Sequence, residues 1–257
     1  MNIEINPNLD IESLRREFLA QHKIRITDFF TQQIAEGIHD YLSTKVPWHW
    51  AHSDQNGQAV RYDDQQLASM STQEMGQSVD LIHQQASDSY QYSYKFFPII
   101  DAIQANALSQ DSVLFQIAAF LNGTEFIRFA RQLTDSNTLV KVDPQATLYE
   151  PGHFLTTHDD STGYRSPRDS SERRFAIVLG FTPEWRADWG GQTTFYPNPD
   201  SGKSESWEPG FNTLTLFKVP ALHAVNYVTP FATKGRYSVT GWLRDDPTIK
   251  RPDLGDV

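Results

Sequence analysis

Apolar residues in the first half of the chain recur at helical spacing. Ile11, Leu14 and Phe18 follow Asp10, a residue suited to capping a helix. Ile34, Ile38 and Tyr41 make a second such face after Thr31, and Met75, Val79 and Ile82 a third after Thr72. Leu114, Ile117 and Leu121 follow Asp111 and stop at Gly123, and Thr124 then opens a short helix carrying Phe126, Phe129 and Leu133. One segment breaks the period. Tyr90, Tyr92, Tyr94 and Phe96 alternate, which is the pattern of a strand with one aromatic face. That face either packs a sheet or forms a wall turned toward a substrate.

From about Leu139 the pattern changes to short strand-like runs separated by turn signals. They are LVKVDPQATLYEPG, RRFAIVLGF, GGQTTFYP, FNTLTLFKV, ALHAVNYV and RYSVTGWL. Strands at this spacing predict a sandwich or barrel. No alternation of strand and helix is present, which argues against a Rossmann or TIM architecture. Gly190 and Gly191 mark a turn before a strand. Asp159–Glu172 and Pro197–Gly210 read as polar loops, the first able to serve as a lid. No linker composition divides the chain, so we expect one domain over 1–257, with a mostly helical support in 1–138 and a β core in 139–245.

Composition narrows the function. With 22 Lys+Arg against 32 Asp+Glu, the net charge is −10. This disfavours a nucleic-acid surface and docking on anionic membrane. The absence of cysteine removes disulfides, thiolate metal sites and cysteine nucleophiles. The first residues show no basic start followed by an apolar run, and no apolar stretch reaches the roughly 18 residues of a membrane span. A cytoplasmic location is the expectation.

The residues able to do chemistry lie in the second half. In Tyr149-Glu-Pro-Gly152-His-Phe154-Leu-Thr-Thr-His158-Asp-Asp160, an extended chain projects His158 and Asp160 to the same side. An isolated His223 follows an apolar strand. Two histidines and one carboxylate make the facial triad that holds non-haem Fe(II) and leaves coordination positions open. His-x-Asp alone is a common tripeptide, and a lone histidine is ordinarily exposed or a packed core residue; the order of the set is what raises its interest. Thirteen residues after His223 comes Arg236-Tyr-Ser238-Val-Thr240, where alternation puts Arg236, Ser238 and Thr240 on one face. On an inward face, the guanidinium needs an anion such as a dicarboxylate, held bidentately. On an edge strand it faces water instead.

Taken together, Tyr149-x-x-Gly152-x-Phe154-x-x-x-His158-x-Asp160, Gly190-Gly191, His223 and Arg236-x-Ser238 resemble the 2-oxoglutarate/Fe(II)-dependent dioxygenases of the prolyl 4-hydroxylase-like branch. RYSVTGWL resembles the last core strand of the ribosomal-protein prolyl hydroxylases. The resemblance implies a mainly β or α+β fold: a double-stranded β-helix (jelly-roll, cupin-like) core buttressed by N-terminal helices. It implies Fe(II) held by His158, Asp160 and His223, with Arg236 and Ser238 on the far carboxylate of 2-oxoglutarate and Tyr149 within reach of that cosubstrate. It also implies O₂, with ascorbate as a possible accessory, and hydroxylation of an unactivated C–H bond with release of succinate and CO₂. The implied partner is a protein or peptide containing proline, a ribosomal protein among the candidates. One departure stands out. Relatives carry a tyrosine in the strand after the first two ligands, whereas Arg173–Leu179 has none; Ser238 or Thr193 is the expected substitute. Asp159 or Thr157 is expected to orient the ligands.

The rival readings are an oxygenase acting on a free amino acid or small metabolite, a non-catalytic cupin-like metal-binding domain, and a zinc hydrolase with the same three ligands. His49 and His52 form a possible second metal pair on a helix turn, with packing or a surface loop the plainer reading. His153 should point away from the site. Trp185, Trp189 and Trp207 read as packing, Glu172-Arg-Arg174 as a solvated strand start, and Asp159-Asp160 as a poor match to a Ca²⁺ loop.

Overall fold

A computed structural model describes residues 1–161 and 173–245, the side chain of Pro199 excepted. Most of the lid expected at Asp159–Glu172 lies outside the described residues.

Twelve strands form one curled antiparallel sheet among the described residues. In chain order they are β1 (Lys23–Thr27), β2 (His49–Ser53), β3 (Ala59–Tyr62), β4 (Tyr92–Phe97), β5 (Lys141–Tyr149), β6 (Phe154–His158), β7 (Arg173–Phe181), β8 (Thr193–Asn198), β9 (Lys203–Trp207), β10 (Phe211–Lys218), β11 (His223–Val225) and β12 (Arg236–Arg244). The spatial order is β1-β10-β7-β12-β5-β4-β6-β11-β8-β9, with the β2–β3 hairpin attached to β4. The sheet bends back on itself at β4, which pairs with both β5 and β6. The result is the half-barrel of a jelly roll, as expected.

Alternation along the central strands separates two environments. Val142, Ala146 and Leu148 of β5, Phe175, Ile177 and Leu179 of β7, and Val239 and Leu243 of β12 enter the main apolar core. Against them pack α2 (Gln32–Thr44), α5 (Ile99–Gln104) and α6 (Val113–Asn122). Phe126, Phe129 and Leu133 of α7 (Thr124–Thr134) join the same cluster. The residues in between, Gln145, Thr147 and Tyr149 on β5 and Arg236, Ser238, Thr240 and Trp242 on β12, face a cavity instead. Fully burying an aliphatic or aromatic side chain is worth about 1.5–3 kcal/mol. The helices thus hold the sheet from one face, and the other face is left for polar work.

The helices over Ile11–Gln21 (α1) and Thr72–Ala86 (α4) also form where the apolar spacing places them. Asp10 caps α1 by accepting from Ser13 N at 3.1 Å. Three caps shift by a residue: Ser71 begins α4 through a capping box with Glu74, Ser112 begins α6, and Gly123 rather than Thr124 precedes α7. The first half is less helical than its periodicity suggests. β1, β2 and β3 interrupt it, and a short α3 (Asp64–Ser69) and α5 appear as well. His49-Trp-Ala-His52 is therefore a strand, not a loop or a helix turn, because Trp50 and Ala51 are buried against β3 and β4. Pro197–Gly210 is likewise no simple loop, since β9 forms there and pairs with β8. No helix among the described residues is long and apolar enough to cross a membrane.

Candidate active site

The cavity on the polar face has a volume of about 1080 Å³. His158 ends β6, and Asp160 follows on a turn at φ +62°. His223 opens β11 and is the register partner of His158. Cross-strand pairing sets the two imidazoles side by side, with ring centroids 4.2 Å apart. The turn folds Asp160 back between them: Oδ1 lies 3.3 Å from His158 Nε2 and Oδ2 lies 3.6 Å from His223 Nε2. One donor atom from each residue fits within 4.8 Å of the others, and this is the one such group of His, Asp or Glu among the described residues.

Each imidazole is oriented by its own backbone. His158 Nδ1 donates to Thr156 O at 2.9 Å, and His223 Nδ1 donates to Ala221 O at 2.8 Å. Both Nε2 lone pairs are thereby aimed at the shared space, as metal binding requires. This corrects the orienting role expected of Asp159 or Thr157: Asp159 instead accepts from Ser161 N and Oγ, and Thr157 is exposed. Burial alone would raise the Asp160 pKa, but the two histidines hold it below the ordinary carboxylate range. Burial works against a charged His158, yet Asp160 carries its pKa above the usual value. His223 is pushed down by burial and by repulsion from His158. The group thus combines one carboxylate with an imidazole that burial keeps neutral, His223, and one whose proton Asp160 helps to hold, His158.

Deeper in the cavity lies Arg236, 5% exposed. Nη2 donates to Thr193 Oγ1 at 3.0 Å, and the guanidinium sits 5.1 Å from the Tyr149 ring. Nη1 is buried without a partner. Desolvation lowers the Arg236 pKa, with Tyr149 opposing. Beside it, the hydroxyls of Ser238 and Thr147 meet at 2.8 Å. Where a tyrosine was missing from Arg173–Leu179, β7 gives the cavity only Ala176, Ile177 and Val178 beyond its first residue, and Thr193 from β8 supplies the hydroxyl. That placement depends on Gly190 and Gly191 at φ +74° and +69°. A Cβ on Gly190 would lie 2.0 Å from Tyr227 O.

Two cavity residues escaped the sequence reading. Arg173 is no solvated strand start: its guanidinium stacks 3.6 Å over the Trp242 ring and donates from Nη1 to Asp160 O at 3.3 Å. Trp242 shares the period of Arg236 and Ser238, which was the available signal. Arg174, by contrast, points out to Asp245. The tyrosines of β4 also line the cavity, which favours the wall over the packing alternative. Trp189 packs in a separate apolar cluster, with Trp185 against it. His52 is buried between Trp50 and Tyr62, away from the triad.

His153 turns back onto its own loop, its Nδ1 accepting from Glu150 N at 3.0 Å. Burial pushes its pKa down to about 4 from 6.5, with Glu150 opposing and Lys95 reinforcing. The unfolded chain therefore binds the extra proton first. His153 costs nothing above pH 6.5 and removes stability progressively as pH falls toward 4, by up to about 3 kcal/mol. His153→Gln should lose less stability than the parent between about pH 7 and about pH 4.5, read from urea midpoints.

The donor set suits a divalent transition ion, and the orphaned Nη1 of Arg236 suits an anion at the closed end of the same cavity. Residues 144–244 match the model of the 2OG-Fe(II) oxygenase superfamily. The match contains the triad, Tyr149, Thr193, Arg236 and Ser238. No curated protein matches the chain. Among solved structures, a prolyl-4-hydroxylase from Pseudomonas putida is 14% identical, with 92% of this chain and 99% of that chain covered at a TM-score of 0.55. A prolyl hydroxylase from Trichoplax adhaerens, in complex with a hypoxia inducible factor peptide fragment, is 14% identical (91% and 89% covered, TM-score 0.52). The alpha ketoglutarate dependent carbocyclase SnoK of nogalamycin biosynthesis is 10% identical (94% and 86%, TM-score 0.55). At these identities the shared feature is the fold, and the fold serves more than one reaction.

Proposed function

We propose that the chain is an Fe(II)- and 2-oxoglutarate-dependent dioxygenase. In this reading it hydroxylates an unactivated C–H bond on a prolyl residue of a protein, a ribosomal protein among the candidates, and releases succinate and CO₂. The supporting observation is Arg236, buried with Nη1 unpaired, at the closed end of a cavity that also holds His158, Asp160 and His223. An unpaired buried guanidinium is costly unless an anion completes it.

His158, Asp160 and His223 would hold the iron, and the iron supplies oxygen activation with 2-oxoglutarate as the reductant. The remaining work belongs to the chain. Arg236 binds the far carboxylate of the cosubstrate, and Thr193 fixes the angle of the guanidinium. The Ser238–Thr147 hydroxyl pair offers a further donor. Tyr149 closes one side, its ring stacked on Tyr94 at 5.1 Å. Leu155, Phe217 and Val225 add apolar lining that keeps water from the reacting centre. A surplus of acidic groups suits a basic protein substrate. Ascorbate would serve as an accessory.

The test is anaerobic. Metal-free protein receives Fe(II) and then 2-oxoglutarate, and the visible metal-to-ligand charge-transfer band is followed. A saturable band is expected. Folded, iron-bound protein that gives no band would move the weight to a cupin-like binding domain or a hydrolytic centre.

A further inference from the structure

His158, Asp160, His223 and Arg236 occupy the inner part of the cavity, and its mouth has a wall of its own. β4 and the two residues that lead into it build the wall there. Tyr90, Tyr92 and Tyr94 project to one side, with successive ring centroids 5.9 and 5.5 Å apart. Tyr94 stacks on Tyr149, against which Arg236 rests, and the Tyr90 ring lies 5.8 Å from that of His158. The aromatic series therefore runs from the surface, where Tyr90 is 53% exposed, past the first histidine to the buried arginine.

The buried residues between the tyrosines, Gln91 and Ser93, lock the segment in place. Gln91 is 1% exposed. Its Oε1 accepts from Ser53 N at 2.9 Å and Tyr92 N at 2.8 Å, and its Nε2 donates to Ser53 O at 3.0 Å and Gln85 Oε1 at 2.6 Å. Its backbone N–H donates to Thr156 Oγ1, and its carbonyl accepts from that hydroxyl and from Thr156 N. Ser93 Oγ accepts from Trp50 Nε1 at 2.9 Å. The wall is thus fixed before any ligand arrives, which lowers the ordering cost of binding. The β2–β3 hairpin brings Asp54 and Gln55 to the same cavity, and Gln85 and Ser89 arrive from α4 and the turn after it.

We propose that the tyrosine ladder is the subsite for an extended peptide segment. A proline ring lies on the tyrosine faces, and the flanking backbone meets the polar groups of the hairpin and of the α4 end. The proposal rests on the dioxygenase reading. Length decides between a peptide and a free amino acid. The four residue steps from Tyr90 to Tyr94 span about 13 Å where the chain is extended, the reach of about four residues of extended peptide, whereas a free amino acid covers one ring. The volume of about 1080 Å³ is also at the upper end for a small-molecule pocket, about 300–1,000 Å³. Proline suits the wall because its fixed φ leaves little entropy to lose on an aromatic groove.

The experiment uses the full chain loaded with Fe(II) and 2-oxoglutarate, with the charge-transfer band as a control of the loaded site. The probes are a library Ac-X-X-Pro-X-X-NH₂, randomised at X, and free L-proline. Anaerobic calorimetry reads binding without turnover, and the gain of one oxygen atom, measured by mass, reads turnover in air. Library members should bind and be oxidised in preference to L-proline. Tyr90→Ala and Tyr92→Ala should each raise the Kd and KM of the best peptide by about tenfold, with the 2-oxoglutarate titration unchanged and Tyr92→Phe close to the parent. The exposed Tyr90 carries no folding risk. A normal band with no library member bound, with L-proline equal to the best peptide, or with both alanine variants unaffected overturns the ladder while leaving the oxygenase reading in place. Loss of the band in the parent overturns that reading itself.

Discussion

Arg236→Met is expected to abolish 2-oxoglutarate binding and, in the same preparation, to raise the melting temperature of the metal-free protein. Both effects come from one observation: the guanidinium is 5% exposed and has one nitrogen without a partner. Its remaining contacts, Thr193 Oγ1 and the Tyr149 face, are neutral and do not offset the loss of water around a cation. In the proposed reading the missing partner is the far carboxylate of 2-oxoglutarate. Removing one side of a buried charge-assisted contact costs about 2–5 kcal/mol, so affinity should fall by about 30-fold to several thousandfold, with Fe(II) binding intact. Without ligand the balance reverses. Methionine fills similar space with no charge to desolvate, and a gain of about 1 kcal/mol or more appears as about 2–4 °C or more in Tm. Calorimetric titration and thermal unfolding check the two halves separately. Unchanged affinity would mean the far carboxylate is held elsewhere. A lower Tm would mean the contacts of Arg236 outweigh its burial.

Asp160→Asn should remove Fe(II) binding while leaving the fold in place. Asparagine is the right probe because the residue sits at φ +62°, a left-handed conformation that Asn tolerates and that costs most other side chains about 1–2 kcal/mol. The substitution keeps size and backbone and deletes only the charge. Losing an outer partner of a metal ligand typically costs 10–100-fold in affinity, so losing the ligand itself should exceed about a hundredfold. A second readout needs no metal. Burial opposes the charge on His158, and Asp160 is what carries its pKa above the ordinary range. In the variant the His158 pKa should fall, as followed by imidazole NMR titration of the metal-free protein. A His158 titration that does not move would separate the carboxylate from the histidine it faces.

The chemistry of this site was easier to read from the chain than its supports were. His158 and Asp160 are near neighbours, and Arg236, Ser238 and Trp242 share one strand period, so local alternation was enough to group them. Thr193 meets Arg236 only because the sheet closes on itself, and no spacing along the chain encodes that contact. Arg173 looked solvated because its neighbour Arg174 is; its stack on Trp242 depends on the pairing of β12 with β7. β1 had a visible signal in Ile24 and Ile26, but five residues are too few to outweigh the helices on either side. In β2, buried residues follow one another without alternation, so its period was hidden.

The pairing of His158 with His223 has a mechanical side. β6 and β11 are five and three residues long, and along the sheet they are the link between β4 and the β8–β9 hairpin. The ladder between them slips at the position after His223, so few backbone bonds close this seam. An ion gripped by both imidazoles would be a rivet driven through a thin join in the sheet. Loading the centre would therefore also brace the hairpin beyond it, and with it Thr193, which accepts from Arg236. The triad and Arg236 would then be parts of one frame, tightened at a single point.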